Sequence, residues 1–235
     1  MSIYRALVYC ATVLTFLVIV VGAYVRLSDA GLGCPDWPGC YGQMIGVPDE
    51  AHEIARAQAA FPGKLVDAGR ARKEMFHRYL AGTLGFLVAA ITAIAWTRRR
   101  ETGRSPALDF ALFALVVFQA TLGMWTVTML LKPAIVTLHL LGGMAIFAVM
   151  LWLALRELDP QPPAADLARR MRPWAAGGLA VLGVQIALGG WVSANYAALA
   201  CADFPACHGQ WLPQMDFGNA FHVLRELGVT ASGAP

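Results

Sequence analysis

The chain has 235 residues, of which 58% are hydrophobic and 14% are charged, and its formal net charge is +3. Soluble domains carry about 25% charged residues, so this composition excludes an ordinary soluble protein and indicates that lipid is the solvent. The small net charge gives no reason to expect a nucleic-acid partner, because the arginines cluster beside apolar segments.

Five charge-free runs each approach the length of about 20 residues that crosses a hydrocarbon core of about 30 Å. We therefore predict five transmembrane helices in an all-α polytopic membrane protein. The first run is longer than the apolar core of a signal peptide, and we expect it to be retained. In chain order the runs are Ala6 to Val25, Tyr79 to Thr97, Phe110 to Leu131, Pro133 to Leu155 and Pro173 to Ala202.

Arginines in the short connections predict the orientation. They follow the second run (Arg98, Arg99, Arg100 and Arg104) and the fourth run (Arg156, Arg169, Arg170 and Arg172). The positive-inside rule places both connections, and with them the N-terminus, in the cytoplasm. The raw number of basic residues is equal on the two sides, but most of those on the outer side lie among acids. We predict a multi-pass protein of the inner (plasma) membrane.

Two segments repeat one pattern at an offset of 167 residues, namely 22–43 and 189–210. Each contains a Cys-x5-Cys loop that follows an apolar run and ends in Gly-Gln. Because such self-similarity indicates a duplicated unit, we predict a four-helix bundle in residues 1–160, with an extracytoplasmic cysteine loop in 26–76. Residues 161–235 are predicted to begin a second bundle with its fifth helix and second loop.

The paired cysteines are Cys34 with Cys40, and Cys201 with Cys207. The predicted topology places them on the oxidising side of the membrane, where disulfides persist, and this favours one disulfide in each loop. A metal site is the alternative. Two cysteines per loop without a shared histidine are a poor zinc set, and their spacing differs from the Cys-x-x-Cys-His of c-type haem.

His77 and His139 lie within or at the edge of predicted spans, at similar depth in the outer third of the membrane. Ionisable residues inside a membrane are candidates for function. Two histidines on helices joined through one hairpin suit a bis-imidazole haem site in a four-helix bundle. Gly82, Gly142 and Gly143 are predicted to let the macrocycle approach the backbone. The alternative is that each imidazole hydrogen-bonds a neighbouring helix.

Two charged residues flank His77. Glu74 precedes it by three residues, so the two side chains share one face of a helix. Glu74 is a candidate general acid or base beside the iron, or a first-turn acid favoured by the helix dipole. Arg78 is a candidate partner of a haem propionate, or a side chain that extends to lipid phosphate.

Two further segments have predicted structural roles. The third and fifth runs share a motif that contains Gln119 and Gln185, and this predicts close helix packing with an interhelical hydrogen bond. The segment from Asp49 to Lys73 is predicted to form a surface helix over the outer mouth of the first bundle. Residues 61–63, Phe-Pro-Gly, are predicted to break it.

Together, several stretches resemble the haem A synthase family: "YVRLSDAGLGCPDWPGCYGQ", "EMFHRYLAGTLG", "LGMWTV", "TLHLLGG" and "LACADFPACHGQWLPQMDFGNAFHVLREL". The resemblance implies eight helices in two repeated bundles, with one haem site in each. It implies oxidation of the C8 methyl of haem O to a formyl group, by successive hydroxylation and loss of water, for cytochrome oxidase biogenesis. The implied partners are the lipid bilayer, haem O, haem O synthase and an electron donor; a homo-oligomer is left open.

The resemblance also implies roles for individual residues. His77 and His139 match the axial ligands of the site that receives haem O, and Glu74 matches an essential carboxylate. The cysteine pairs match extracytoplasmic disulfides. Adding the repeat offset to the two histidines points to positions 244 and 306, beyond the sequence, so we expect a truncated chain that lacks helices six to eight and the haem b site. The alternatives are a bis-histidine membrane cytochrome that carries electrons and an inactive fragment.

Overall fold

The computed structural model describes residues 2–158 and 164–225, and no β-strand occurs within these ranges apart from isolated bridges. The helices are α1 (Ile3–Leu27), α2 (Ala51–Ala60), α3 (Ala68–Thr102), α4 (Ala107–Thr128), α5 (Pro133–Glu157), α6 (Ala165–Ala194) and α7 (Phe217–Ala220). Five of them, α1 and α3 to α6, are long and apolar enough to cross a membrane. The predicted all-α polytopic membrane protein is confirmed.

The second spanning helix, α3, begins well before the apolar run that predicted it. It begins at Ala68, whereas the run begins at Tyr79. Asp67 caps this end, because its side chain accepts the N–H groups of Gly69 and Arg70 at 2.9 and 3.0 Å. Hydropathy marks only the part of a helix that lies in lipid, so it missed the charged first turns.

Two predicted runs extend beyond the C-terminal ends of their helices. α4 ends at Thr128, and Leu130 and Leu131 adopt positive φ values of 51° and 57° in the tight turn before α5. Such a conformation cannot continue a right-handed helix. α6 ends at Ala194 instead of Ala202. Apolar composition continues through both stops and therefore does not reveal them.

α1, α3, α4 and α5 form a four-membered ring: α1 contacts α3 and α5, and α4 contacts the same two helices. α3 and α5 therefore lie diagonally across the bundle. α6 packs along α5, and Arg26 of α1 donates to the backbone oxygen of Ser193 near the C-terminal end of α6 at 2.6 Å. In lipid, close packing holds such helices together, and the buried core of the ring contains Val8, Ala11, Leu84, Val88, Ile91, Leu112, Ile146, Met150, Leu153 and Ala154.

The predicted surface helix is present as α2. Glu50 and Glu53 form a capping box at its N-terminus, and the helix ends at Ala60 with Phe61 as its C-cap, where the break was predicted. Ala57 is buried, and it packs with Phe61 against the first cysteine loop. α2 thus covers one side of that loop.

Both predicted disulfides are present, Cys34–Cys40 with an S–S distance of 2.05 Å and Cys201–Cys207 with one of 2.06 Å. We call residues 34–43 cysteine loop 1 and residues 201–210 cysteine loop 2. Both loops lie at one end of the bundle, the loop side. The arginine-rich connections lie at the opposite end, the arginine side.

The internal repeat is also a structural repeat. In cysteine loop 1 the carboxylate of Asp36 accepts the N–H groups of residues 41 and 42 at 2.6 and 2.8 Å. In cysteine loop 2 Asp203 accepts those of residues 208 and 209 at 2.7 and 2.8 Å. Each loop thus closes on itself through one disulfide and one aspartate.

Candidate functional site

His77 and His139 lie on α3 and α5, the two helices that face each other across the diagonal of the bundle. His77 lies inside α3, which begins at Ala68. The Nδ1 atom of each imidazole is buried and has no hydrogen-bond partner among the described residues. A buried polar atom without a partner is uncommon and requires an explanation.

A glycine on a neighbouring helix faces each imidazole. A Cβ atom on Gly22 of α1 would lie 2.9 Å from Cε1 of His77, and one on Gly123 of α4 would lie 3.2 Å from Cε1 of His139. A side chain at either position would press on the ring. The sequence analysis did not assign these glycines, although a signal was present: in the two alignments of the repeat, both match Gly189.

The glycines assigned from the sequence have other surroundings. Gly142 and Gly143 face the side chain of Gln119, which a Cβ atom at Gly142 would overlap. Gln119 donates from Nε2 to the backbone oxygen of His139 at 2.6 Å, which confirms the predicted interhelical hydrogen bond. Gly82 faces open space. Gly142 and Gly143 thus make room for Gln119, which holds the backbone of His139.

Glu74 is buried, at 4% exposure, and connects α3 to cysteine loop 1. Its Oε2 atom accepts the backbone N–H of Cys34 at 2.9 Å, and its Oε1 atom pairs with Arg78. The loop approaches α3 closely, since a Cβ atom on Gly33 would lie 2.6 Å from the carbonyl carbon of Arg70. The carboxylate therefore holds the loop against the helix that carries the first histidine.

Arg78 holds the other side of the same loop. Its Nη1 atom donates to the backbone oxygen of Asp36 at 2.9 Å and to that of Gly39 at 2.5 Å, while Nη2 pairs with Glu74. The side chain is largely buried, with 12% exposure. These contacts are all with protein groups, so a haem propionate or lipid phosphate as the partner of Arg78 stays a prediction.

Tyr41 attaches cysteine loop 1 to the connection between α2 and α3. Its hydroxyl donates to the backbone oxygen of Leu65 at 3.3 Å, and its ring meets that of Phe61 edge to face at 5.5 Å. Burial raises the pKa of the Tyr41 phenol, and the carboxylates of Glu74 and Asp36 raise it further. The loop is thus held from two directions, by α3 and by this connection.

The donor set at the centre of the bundle suits iron in a macrocycle better than a free metal ion. Within the described ranges, no group of three or more His, Cys, Asp or Glu side chains could hold a metal ion. A macrocycle supplies four nitrogen ligands of its own, so two imidazoles complete an octahedral iron. A zinc site would need three or four protein ligands. The pair of buried Nδ1 atoms without a partner therefore fits haem.

The sequence matches the COX15-CtaA family, described as cytochrome oxidase assembly protein, over residues 5–230. It is 47% identical to a heme A synthase of Shewanella oneidensis, over 92% of this chain and 67% of that protein. It is 31% identical to one of Chelativorans sp., over 89% of this chain and 62% of that protein. The chain thus spans about two thirds of the length of these relatives. No solved structure gives a significant match.

The contact between Gly22 and His77 predicts that substitution by alanine destabilises the fold at Gly22 but not at Gly82. Gly22→Ala should lower the free energy of unfolding by about 1–3 kcal/mol, because the new methyl group overpacks the imidazole. Gly82→Ala, which meets open space, should leave it unchanged or raise it by up to about 1 kcal/mol through helix propensity. Denaturant unfolding in mixed micelles measures both. Equal effects at the two positions would contradict the assigned contact.

The surroundings of Tyr41 predict a pH dependence. Since its folded pKa is raised above the unfolded one, Tyr41 stabilises the fold fully below the unfolded pKa, and this contribution is lost as the pH rises through the folded pKa. Tyr41→Phe should remove from the ultraviolet titration a phenol that ionises above the ordinary pKa of tyrosine. The variant Tyr9→Phe serves as a control. A titration in which Tyr41 ionises at or below the ordinary pKa of tyrosine would refute the assignment.

Proposed function

Because the chain belongs to the COX15-CtaA family of cytochrome oxidase assembly proteins, we propose that it is an oxidoreductase that converts haem O to haem A. The name heme A synthase, which its relatives carry, supports this reaction. The structural observation that carries the proposal is the pair of imidazoles on diagonal helices, each with a buried and unpartnered nitrogen. The substrate proposed for this pair is haem O.

His77 and His139 would hold the iron from two sides. Bound haem supplies the redox chemistry, and the protein contributes ligation and orientation. Gly22 and Gly123 leave the space in which the two rings lie. Gln119 fixes the backbone of His139 through its hydrogen bond. Such support keeps a ligand in one orientation.

Glu74 is the proposed group that holds and moves a proton at this site. It lies three residues before His77 on α3, so the two side chains share one face of the helix. Its two oxygens are fixed by Cys34 and Arg78, which keeps the carboxylate at the loop side. Arg78 adds a positive charge there, beside which a haem propionate would be held.

We propose a location in the inner membrane, with the loop side outside the cytoplasm. The two disulfides support the position of the loop side outside the cytoplasm, because disulfides persist in oxidising compartments. Arg98, Arg99 and Arg100 at the C-terminal end of α3, and Arg104 in the connection after it, support the cytoplasmic position of the arginine side. Haem O synthase and an electron donor are the proposed partners.

Ligation by the two histidines is tested by His139→Ala. The purified variant should lose the six-coordinate low-spin haem spectrum and bind at least tenfold less haem, because one axial ligand is missing. The matched control is His52→Ala, since His52 is exposed on α2 with its imidazole beside Glu50. An unchanged spectrum in the His139 variant would show that another group binds the iron.

The role of Glu74 is tested by Glu74→Gln, which keeps an oxygen for the N–H of Cys34 and removes the charge. Haem A formation should fall by about 10²–10⁴-fold, the usual contribution of a general acid or base, while haem binding persists. Glu53→Gln on the surface helix is the control. Conversion at the full rate would remove Glu74 from the mechanism.

The product separates the enzyme from an electron carrier. Pigment extracted from cells that express the protein containing this sequence should contain formyl haem. A bis-histidine cytochrome would return only the starting haem, and this result would overturn the proposed reaction.

A further inference from the structure

Each cysteine loop is followed directly by two exposed apolar residues. Met44 and Ile45, which we call loop tip 1, are 66% and 86% exposed. Trp211 and Leu212, loop tip 2, are 78% and 81% exposed. The two tips occupy equivalent positions of the repeat, at the offset of 167 residues. An exposed apolar pair that recurs at one structural position requires a common explanation.

The same local structure precedes each of the two tips. Each follows a short antiparallel bridge, between Cys40 and Gln43 in one loop and between Cys207 and Gln210 in the other. The disulfide and the aspartate of each loop fix this turn. The four helices of the ring and α2 are all present around loop tip 1, and they still leave it exposed. Neither the ring nor α2 therefore covers loop tip 1.

Loop tip 1 lies where α3 enters its apolar run. The backbone N–H of Gly46 donates to the hydroxyl of Tyr79 at 2.8 Å. Ile45 lines a cavity of about 480 Å³ together with Phe76 and Tyr79. These two aromatic side chains are 54% and 41% exposed, and the charge-free run of α3 begins at Tyr79. The tip is thus level with the boundary between water and lipid.

Loop tip 2 lies near the corresponding end of α6. Trp191, in the last turn of that helix, donates from Nε1 to the backbone oxygen of Ala220 at 2.8 Å, and its ring stacks on that of Phe221 at 6.5 Å. The segment after the tip therefore folds back onto the end of a spanning helix. Trp side chains are enriched at membrane interfaces, and Trp211 is an exposed Trp in the segment that leads from cysteine loop 2 to this contact.

We propose that both loop tips insert into the interfacial region of the lipid leaflet on the loop side and hold the cysteine loops against the membrane. The four tip residues carry no charge, and loop tip 1 lies beside the start of the charge-free run of α3. Each tip has only two residues, whereas a stable protein interface takes about 800 Å² per partner. Lipid is therefore the occupant that fits, and this inference does not depend on haem.

The test measures the depth of each tip in the full chain in phospholipid nanodiscs. Methionine labelled with ¹³C in its methyl group reports on Met44, and 5-fluorotryptophan reports on Trp211. Met44→Leu and Trp211→Phe identify the two resonances. One sample contains lipid with a nitroxide at acyl carbon 5, and another contains a water-soluble gadolinium chelate. Met75, which is 2% exposed, is the buried control.

The lipid nitroxide should reduce the Met44 and Trp211 signals at least twofold more than it reduces the Met75 signal, and more than the chelate does. Signals that are reduced mainly by the chelate would place the tips in water and overturn the proposal. Signals that neither probe reduces would show that protein covers the tips, such as a second copy of the chain, and would also overturn it. Each tip is tested separately.

Discussion

The ion pair between Glu74 and Arg78 is the contact on which the loop side depends. Both side chains are largely buried, with 6% and 12% exposure. Buried charges are stable only when they are paired and hydrogen-bonded. Here the two side chains pair with each other. The backbone of cysteine loop 1 supplies the further hydrogen bonds, through the N–H of Cys34 and the carbonyls of Asp36 and Gly39. The pair therefore joins the loop to the helix that carries His77.

The two cysteine loops have the same internal geometry but pack differently against the rest of the protein. Their internal geometry is the same, because a disulfide and an aspartate within each loop determine it. Their surroundings differ: Cys34 is fully buried against α3, whereas Cys201 is exposed. A short segment can thus fix its own shape, while its position depends on the charges and packing that another helix offers. For cysteine loop 1, Glu74 and Arg78 of α3 provide these charges.

At the centre of the bundle, two helices contribute histidines and their neighbours contribute space. An imidazole inside a membrane is costly without a partner, and a bulky ligand can reach it only where adjacent side chains are small. Gly22 and Gly123 meet this condition on α1 and α4. The proposed haem site therefore depends on all four helices of the ring, although only His77 and His139 supply ligand atoms. The diagonal helices α3 and α5 thus carry the proposed ligands, and their neighbours α1 and α4 carry the glycines.

The sequence by itself determined the five spans, the position of the surface helix and the disulfide pairs, because these follow from composition, spacing and the repeat. It placed the start of α3 too late, since hydropathy reports only the part of a helix in lipid. Only the tertiary structure decided that Gly22 faces His77, that Gly142 makes room for Gln119 and that Glu74 holds cysteine loop 1. These contacts join residues on different elements, and their partners are fixed by the way the helices pack around one another.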